Sequence, residues 1–161
     1  MIRGRHPLSI AMRIVIQRVL EAEVKVEGVV KGTISQGLMV LLGIETTDTD
    51  HDIDWLVNKL VNLRIFNDSN GVMNQSLLAI EGELLVISQF TLMAASKKGN
   101  RPSYIRAAKH EIAIPLYEKF LRLSELKLRK KVASGVFGAD MKLGLINDGP
   151  VTLILDSKNR E

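Results

Sequence analysis

Between Gly37 and Glu45 the chain reads GLMVLLGIE, an apolar run with no charge until its last residue. A run this short and this apolar, bounded by glycine, fits a strand buried on both faces, and so a place at the centre of a sheet. Its flanks agree. Val24-Lys25-Val26-Glu27 alternates apolar and polar, meets Gly28, and resumes through Val29, Lys31 and Ile34, the pattern of an antiparallel hairpin with one wet face. After the run, Asp48 and Asp50 are N-cap candidates for a helix whose inward face is Ile53, Leu56, Val57, Leu60 and Leu63.

Further along, Arg64-Ile65-Phe66 reads as a short strand ended by the turn cluster Asn67-Asp68-Ser69-Asn70-Gly71. Leu77 to Leu92 reads as two strands around Glu81-Gly82, and residues 96–103 (SKKGNRPS) as a basic loop. A second helix is predicted from about His110 to about Leu126, with Pro115 in its early turns. Segments 127–134, 140–146 and 151–155 read as short strands. Strands outnumber helices and cluster in hairpins, so the fold class is α+β, a single domain with mainly antiparallel sheet.

The 161 residues suit one domain. The first eleven, MIRGRHPLSIA, hold Arg3 and Arg5, no acid and no clear period; they read as a leader or extension without function, with the domain at 12–161. Lys and Arg number 22 against 18 acids, so without those two arginines the net charge falls from +4 to +2. Bulk charge of that size does not hold nucleic acid, and any such binding needs a local patch. Zero cysteines exclude a disulfide scaffold, a thiolate metal site and a cysteine nucleophile, and fit the cytoplasm. No apolar run approaches the ~20 residues of a membrane span. Seven aromatics (one Trp, two Tyr, four Phe) are few for a base-stacking platform.

His6, His51 and His110 have no ligand partner at helical spacing, so no metal site is expected; His51 and His110 read as solvated helix-end residues. No phosphate-cradling glycine motif is present, and Gly135-Val136-Phe137-Gly138 alone reads as a turn. Two stretches stand out. Ser88-Gln89-Phe90-Thr91-Leu92 closes an apolar strand with polar residues, and Asn147-Asp148-Gly149-Pro150-Val151-Thr152 has the composition of a tight turn. Neither names a reaction by itself.

Taken with MRIVIQRV (12–19), RIFNDSNGVMNQSL (64–77), GNRPS (99–103) and GVFGADM (135–141), they do. These runs resemble the D-aminoacyl-tRNA deacylase family in collinear order over 12–157, beginning at Met12. The resemblance implies a cytosolic, homodimeric β/β/α layered domain without cofactor, metal, membrane or DNA partner. It would hydrolyse the ester between a D-amino acid and the terminal adenosine of tRNA, at two composite sites on the dimer interface. It further implies that Gly149 and Pro150 form a cis chiral gate entering the partner's pocket, that Ser88, Gln89, Phe90 and Thr91 line the catalytic site, and that Phe137 and Met141 wall the adenosine end. Asn147 and Thr152 flank the gate as substrate-binding positions. Lys97, Lys98 and Arg101 are the candidate tRNA-phosphate contacts.

An activated ester needs a positioned nucleophile and donors for the developing oxyanion more than it needs strong chemistry. Residues 88–91 offer hydroxyls and amides, and no base is evident in the motifs. A threonine without a base is a poor nucleophile. The reading is therefore backbone amides around Phe90 and Thr91 holding the carbonyl, with the tRNA's terminal 2′-hydroxyl assisting, a role the family resemblance suggests. A gate that excludes side chains leaves glycyl-tRNA cleavable. Two rival readings remain: a non-catalytic RNA-binding dimer using Lys97, Lys98, Arg101 and Lys127, Arg129, Lys130, Lys131, or an ester hydrolase of a small metabolite.

Overall fold

Burial on both faces of the apolar run sets the architecture. A computed structural model describes residues 11–161, and Gly37–Gly43 is strand β3 in the interior of its main sheet. Among the described residues the order is β1 (Arg13–Val26), β2 (Val29–Ile34), β3, α1 (Asp50–Asn62), β4 (Phe66–Asn67), β5 (Met73–Gln75), β6 (Glu83–Ser88), a 3-10 turn (Phe90–Met93), α2 (His110–Leu128), β7 (Ala133–Ser134) and β8 (Lys142–Asp156). Leu38, Val40 and Leu42 face a main core closed by α1 and α2. Met39 and Leu41 face the other way, into a smaller core with Val19, Val24, Ile34, Leu85 and Ile87. The sheet curls around that second core until β2 returns beside β7: a Cβ on Gly32 would lie 3.0 Å from the Ser134 carbonyl.

The α+β class holds, and the sheet is mixed. β1 pairs antiparallel with β2, β3 and β8, whereas β3–β6 and β6–β7 are parallel. The helix between β3 and β6 is the crossover that parallel neighbours require. Three local expectations are corrected. Leu77 to Leu92 is not two strands: residues 76–82 make tight turns, with Ile80 N–H donating to Ser76 and Gly82 N–H to Leu77, and only β6 follows. The helix α2 runs on to Leu128, so the expected strand 127–134 shrinks to Ala133–Ser134. Segments 140–146 and 151–155 are one strand, β8, because pairing along nearly all of β1 carries it through the Asn147–Pro150 turn residues with register shifts opposite Gln17–Glu21.

Acids seal the start and end of the domain. Thr49, not Asp48 or Asp50, is the N-cap of α1, and its N–H donates to Asp52 Oδ2 at 2.8 Å. Asp48 instead turns inward and accepts from Met12 N–H at 2.9 Å and Glu45 N–H at 2.6 Å. Burial pushes its carboxyl up to about 6 against these hydrogen bonds, with Asp52 and Glu45 adding repulsion. Ala11, assigned from sequence to the leader, is buried and donates to Asp156 Oδ2 at 3.3 Å; residues 1–10 lie outside the described residues.

Candidate active site

The parallel pair β3–β6 delivers the SQFT segment to a fixed place. Ser88 ends β6, Gln89 N–H donates to the Leu42 carbonyl at 2.7 Å, and Phe90–Met93 winds into one 3-10 turn. Met93 is fully buried and anchors that turn, while Phe90 is ejected, 58% exposed. The turn lies flat on β3 because residue 43 is glycine: a Cβ there would come within 2.8 Å of Leu92 Cβ and Met93 Cε. Arg13 Nη1 also holds the Leu92 carbonyl, at 3.2 Å. The first amides of a helical turn have no partner within it, and here those are the N–H groups of Phe90 and Thr91.

A cavity of about 590 Å³ opens beside this turn. Leu42 and Ile44 line it from β3 and the residue after it, Ser88, Gln89 and Phe90 form one wall, and the start of α2 with Phe137 and Gly138 forms the other. Thr91 sits next to it, its Oγ1 accepting from Gln89 Nε2 at 2.5 Å. Phe137 is held in place by two rings, His110 edge-on at 5.4 Å and Tyr117 tilted at 5.6 Å. Tyr117 donates its hydroxyl to the Val86 carbonyl at 3.3 Å, and burial raises its phenol, which keeps the donor protonated. His110 therefore does more than end a helix in solvent: it lines the cavity.

The expected site residues separate into two groups. Ser88, Gln89, Phe90 and Phe137 share the cavity, and Thr91 is tied to it. Met141 does not line it; its side chain packs against the second core beneath Gly135. Asn147, Gly149, Pro150 and Thr152 lie on β8, exposed and outside the cavity of their own chain. The Gly149–Pro150 peptide is cis, and Gly149 has φ +119°, a backbone conformation that favours glycine. Lys97, Lys98 and Arg101 are exposed in a loop whose base is closed by two hydrogen bonds between Ala95 and Ser103, both 2.8 Å.

Arg18 is the residue the motifs missed. It is buried on β1, and its Nε donates to the Asp148 carbonyl at 3.1 Å while lying 3.4 Å from the Asp148 carboxylate. Its Nη1 donates to the Ile65 carbonyl at 2.8 Å. A Cβ on Gly149 would fall 2.7 Å from Nη2, so the guanidinium sits directly under the corner. The signal was present in sequence: an arginine at the inward phase of Ile14, Ile16 and residue 18 is anomalous unless it is paired.

A family model described as D-Tyr-tRNA(Tyr) deacylase matches residues 15–156. The chain belongs to the D-Tyr-tRNA(Tyr) deacylase family. As a member it is an enzyme, a hydrolase. Its relatives include proteins named D-aminoacyl-tRNA deacylase from Bacteroides fragilis, 61% identical, and Flavobacterium johnsoniae, 57% identical, each over 93% of this chain and 100% of the relative. Among solved structures, one named c-Myc DNA unwinding element binding protein is 39% identical with a TM-score of 0.85, covering 89% of this chain and 97% of that one. Another, of a probable eukaryotic D-amino acid tRNA deacylase, is 20% identical with a TM-score of 0.79, over 90% and 98%, and bears on the fold alone. Among the described residues, no helix is long and apolar enough to cross a membrane.

Proposed function

We propose that this enzyme works in the cytoplasm as a homodimer that removes D-amino acids, and glycine, from tRNA, each subunit's Gly149–Pro150 corner closing the other's cavity. The observation that carries this reading is the corner itself: an exposed stretch of β8, outside the lining of its own chain's cavity and braced by buried Arg18. An exposed segment held that firmly has the properties of a wall rather than a flexible lid.

The terminal adenosine occupies the cavity toward Phe137, and the ester carbonyl points at the Phe90 and Thr91 amides. Water adds to the carbonyl carbon, its proton leaving with help from the ribose 2′-hydroxyl. The ester C–O bond then breaks, and the 3′-oxygen takes a proton as free amino acid departs. Thr91 does not attack: its oxygen accepts a hydrogen bond from Gln89, and among the described residues no carboxylate or imidazole is hydrogen-bonded to it. Asn147 and Thr152 flank the corner on the same strand, and Lys97, Lys98 and Arg101 take phosphates from outside. Neutralising those three should weaken tRNA binding and flatten its salt dependence; an unchanged slope of log affinity against log salt would place the RNA elsewhere.

Selection is exclusion. The corner fills the space where an L side chain would project, and glycine has nothing to exclude. The test is deacylation of D-alanyl-, L-alanyl- and glycyl-tRNA by purified protein. The D and glycyl substrates should be cleared and the L substrate survive. Inertness toward glycyl-tRNA at enzyme levels that clear the D substrate would mean that the pocket grips the D side chain instead.

A further inference from the structure

The chain is poor in aromatics, yet three of its seven, Phe90, Tyr104 and Phe137, line the cavity beside the SQFT wall. Phe137 closes the inner end with His110. Phe90 and Tyr104 form a second, separate pair, edge-to-face with centroids 5.1 Å apart and an interplanar angle of 74°. Unlike Phe137, this pair is open to solvent, Phe90 58% and Tyr104 38% exposed.

Tyr104 is also fixed by its neighbours. On one side the Ala95–Ser103 pair closes the loop that carries Lys97, Lys98 and Arg101. On the other, Thr46 N–H donates to the Arg106 carbonyl at 3.1 Å and Ala108 N–H to the Ile44 carbonyl at 2.9 Å, stitching the chain to the end of β3. The Tyr104 carbonyl accepts from Ala107 N–H at 3.0 Å. A large ring held between two such pins loses little freedom when a flat ligand lands on it. Single-stranded RNA ends are recognised by stacking unpaired bases on rings of this kind, with cations along the backbone.

We propose that Tyr104, with the exposed face of Phe90, is the stacking subsite for the penultimate base of the tRNA 3′ end. The path runs from the terminal adenosine beside Phe137, over the Phe90–Tyr104 pair, to the cations of the 96–102 loop. This rests on the deacylase reading for the identity of the ligand, and extends it by one nucleotide.

The probes are adenosine and the dinucleotide cytidylyl-adenosine, uncharged for binding and carrying D-alanine for turnover. The unaltered protein should bind the dinucleotide about tenfold more tightly than adenosine, the scale of one stacked base. Tyr104→Ala should erase that difference, lowering dinucleotide binding and turnover about tenfold more than it lowers those of adenosine and D-alanyl-adenosine, and Tyr104→Phe should restore it. Equal binding of the two probes by the unaltered protein, or a preference that survives Tyr104→Ala, overturns the subsite. A fall in D-alanyl-adenosine hydrolysis matching the fall with dinucleotide would assign Tyr104 to holding Phe90 only, and loss of the dimer would assign the pair to contact between copies; both overturn it. A Tyr104-dependent preference without hydrolysis of any charged probe would uphold the subsite and refute the deacylase mechanism.

Discussion

The cavity wall at residues 88–93 and the β8 corner are both held still, by opposite means. Residues 88–93 are set by bulk: β3 and β6 are buried on both faces, Met93 plugs the turn, and Gly43 lets it lie against the strand. Residues 147–150 have almost no burial of their own and are held, at a break in the β1–β8 ladder, by one guanidinium from the neighbouring strand. Packing fixes position through many weak contacts, so single changes are shared among neighbours. A single charged anchor concentrates the constraint, and its removal leaves buried carbonyls unsatisfied. A wall of the first kind should fail for every substrate at once. One of the second kind should fail in what it rejects.

The sharpest way to break this contrast is Gly43→Ala. The added methyl displaces the 3-10 turn, and misplacement of about 1 Å at a reacting centre costs on the order of 10²-fold. Turnover of D-alanyl- and glycyl-tRNA should fall together by that factor with the fold retained by circular dichroism. Activity within threefold of normal would show that the turn yields.

Arg18→Leu should act differently. Two backbone carbonyls lose their buried donor, so a loss of about 2–4 kcal/mol in unfolding free energy is expected in denaturant titrations. At temperatures where the variant stays folded, L-alanyl-tRNA should begin to be cleaved while D turnover falls much less. Intact rejection of L-alanyl-tRNA by a folded variant would mean that the corner does not need its anchor.

Thr91→Ala should be mild, within about tenfold in kcat/KM, because an orienting hydroxyl is worth far less than a nucleophile. A loss of ~10⁴-fold, measured by single-turnover deacylation of the folded variant, would overturn the RNA-assisted route. A substrate ending in 2′-deoxyadenosine should be severely impaired in the unaltered enzyme.

The smallest expected effect on turnover is at Asp48, which touches neither region. Its folded carboxyl titrates at about 6, above the ordinary 3.8, so the folded state binds the extra proton. Its contribution to stability is fully present below 3.8 and is lost as the pH rises through about 6. Thermal melts should therefore show a gain on acidification across that window, and Asp48→Asn should flatten it without altering selectivity. A wild-type slope in the Asn variant would assign the effect to another group.

Much of the frame was legible because it is local. The GLMVLLGIE run specified a doubly buried strand, and the Ile53–Leu60 spacing specified the helix that covers it. Short apolar stretches were not: Leu77, Leu78 and Ile80 look strand-like, but only Leu77 is fully buried and the backbone turns there instead. Asn147–Pro150 read as a break because turn chemistry is local, whereas the pairing that overrides it comes from β1, far away in sequence. The site divides in the same way. Ser88, Gln89, Phe90 and Phe137 are carried by recognisable runs, but that they face one cavity is tertiary. Arg18 is separated from Asp148 by 130 positions, and its place on the inward face of MRIVIQRV is the one local sign of it that the sequence carries.

Strand β1 serves both regions at once. Arg13 holds the carbonyl of Leu92 at the 3-10 turn beside the cavity, and Arg18, an odd number of residues later, reaches the opposite side of the strand to brace the corner. Side-chain facing reverses with each residue, so loss or gain of one codon between them would turn one arginine to the wrong side. Interior hydrophobes in this stretch can exchange for one another, but its length cannot drift. The spacing between two arginines acts as a ruler, and related chains should show substitutions there long before they show an insertion or a deletion.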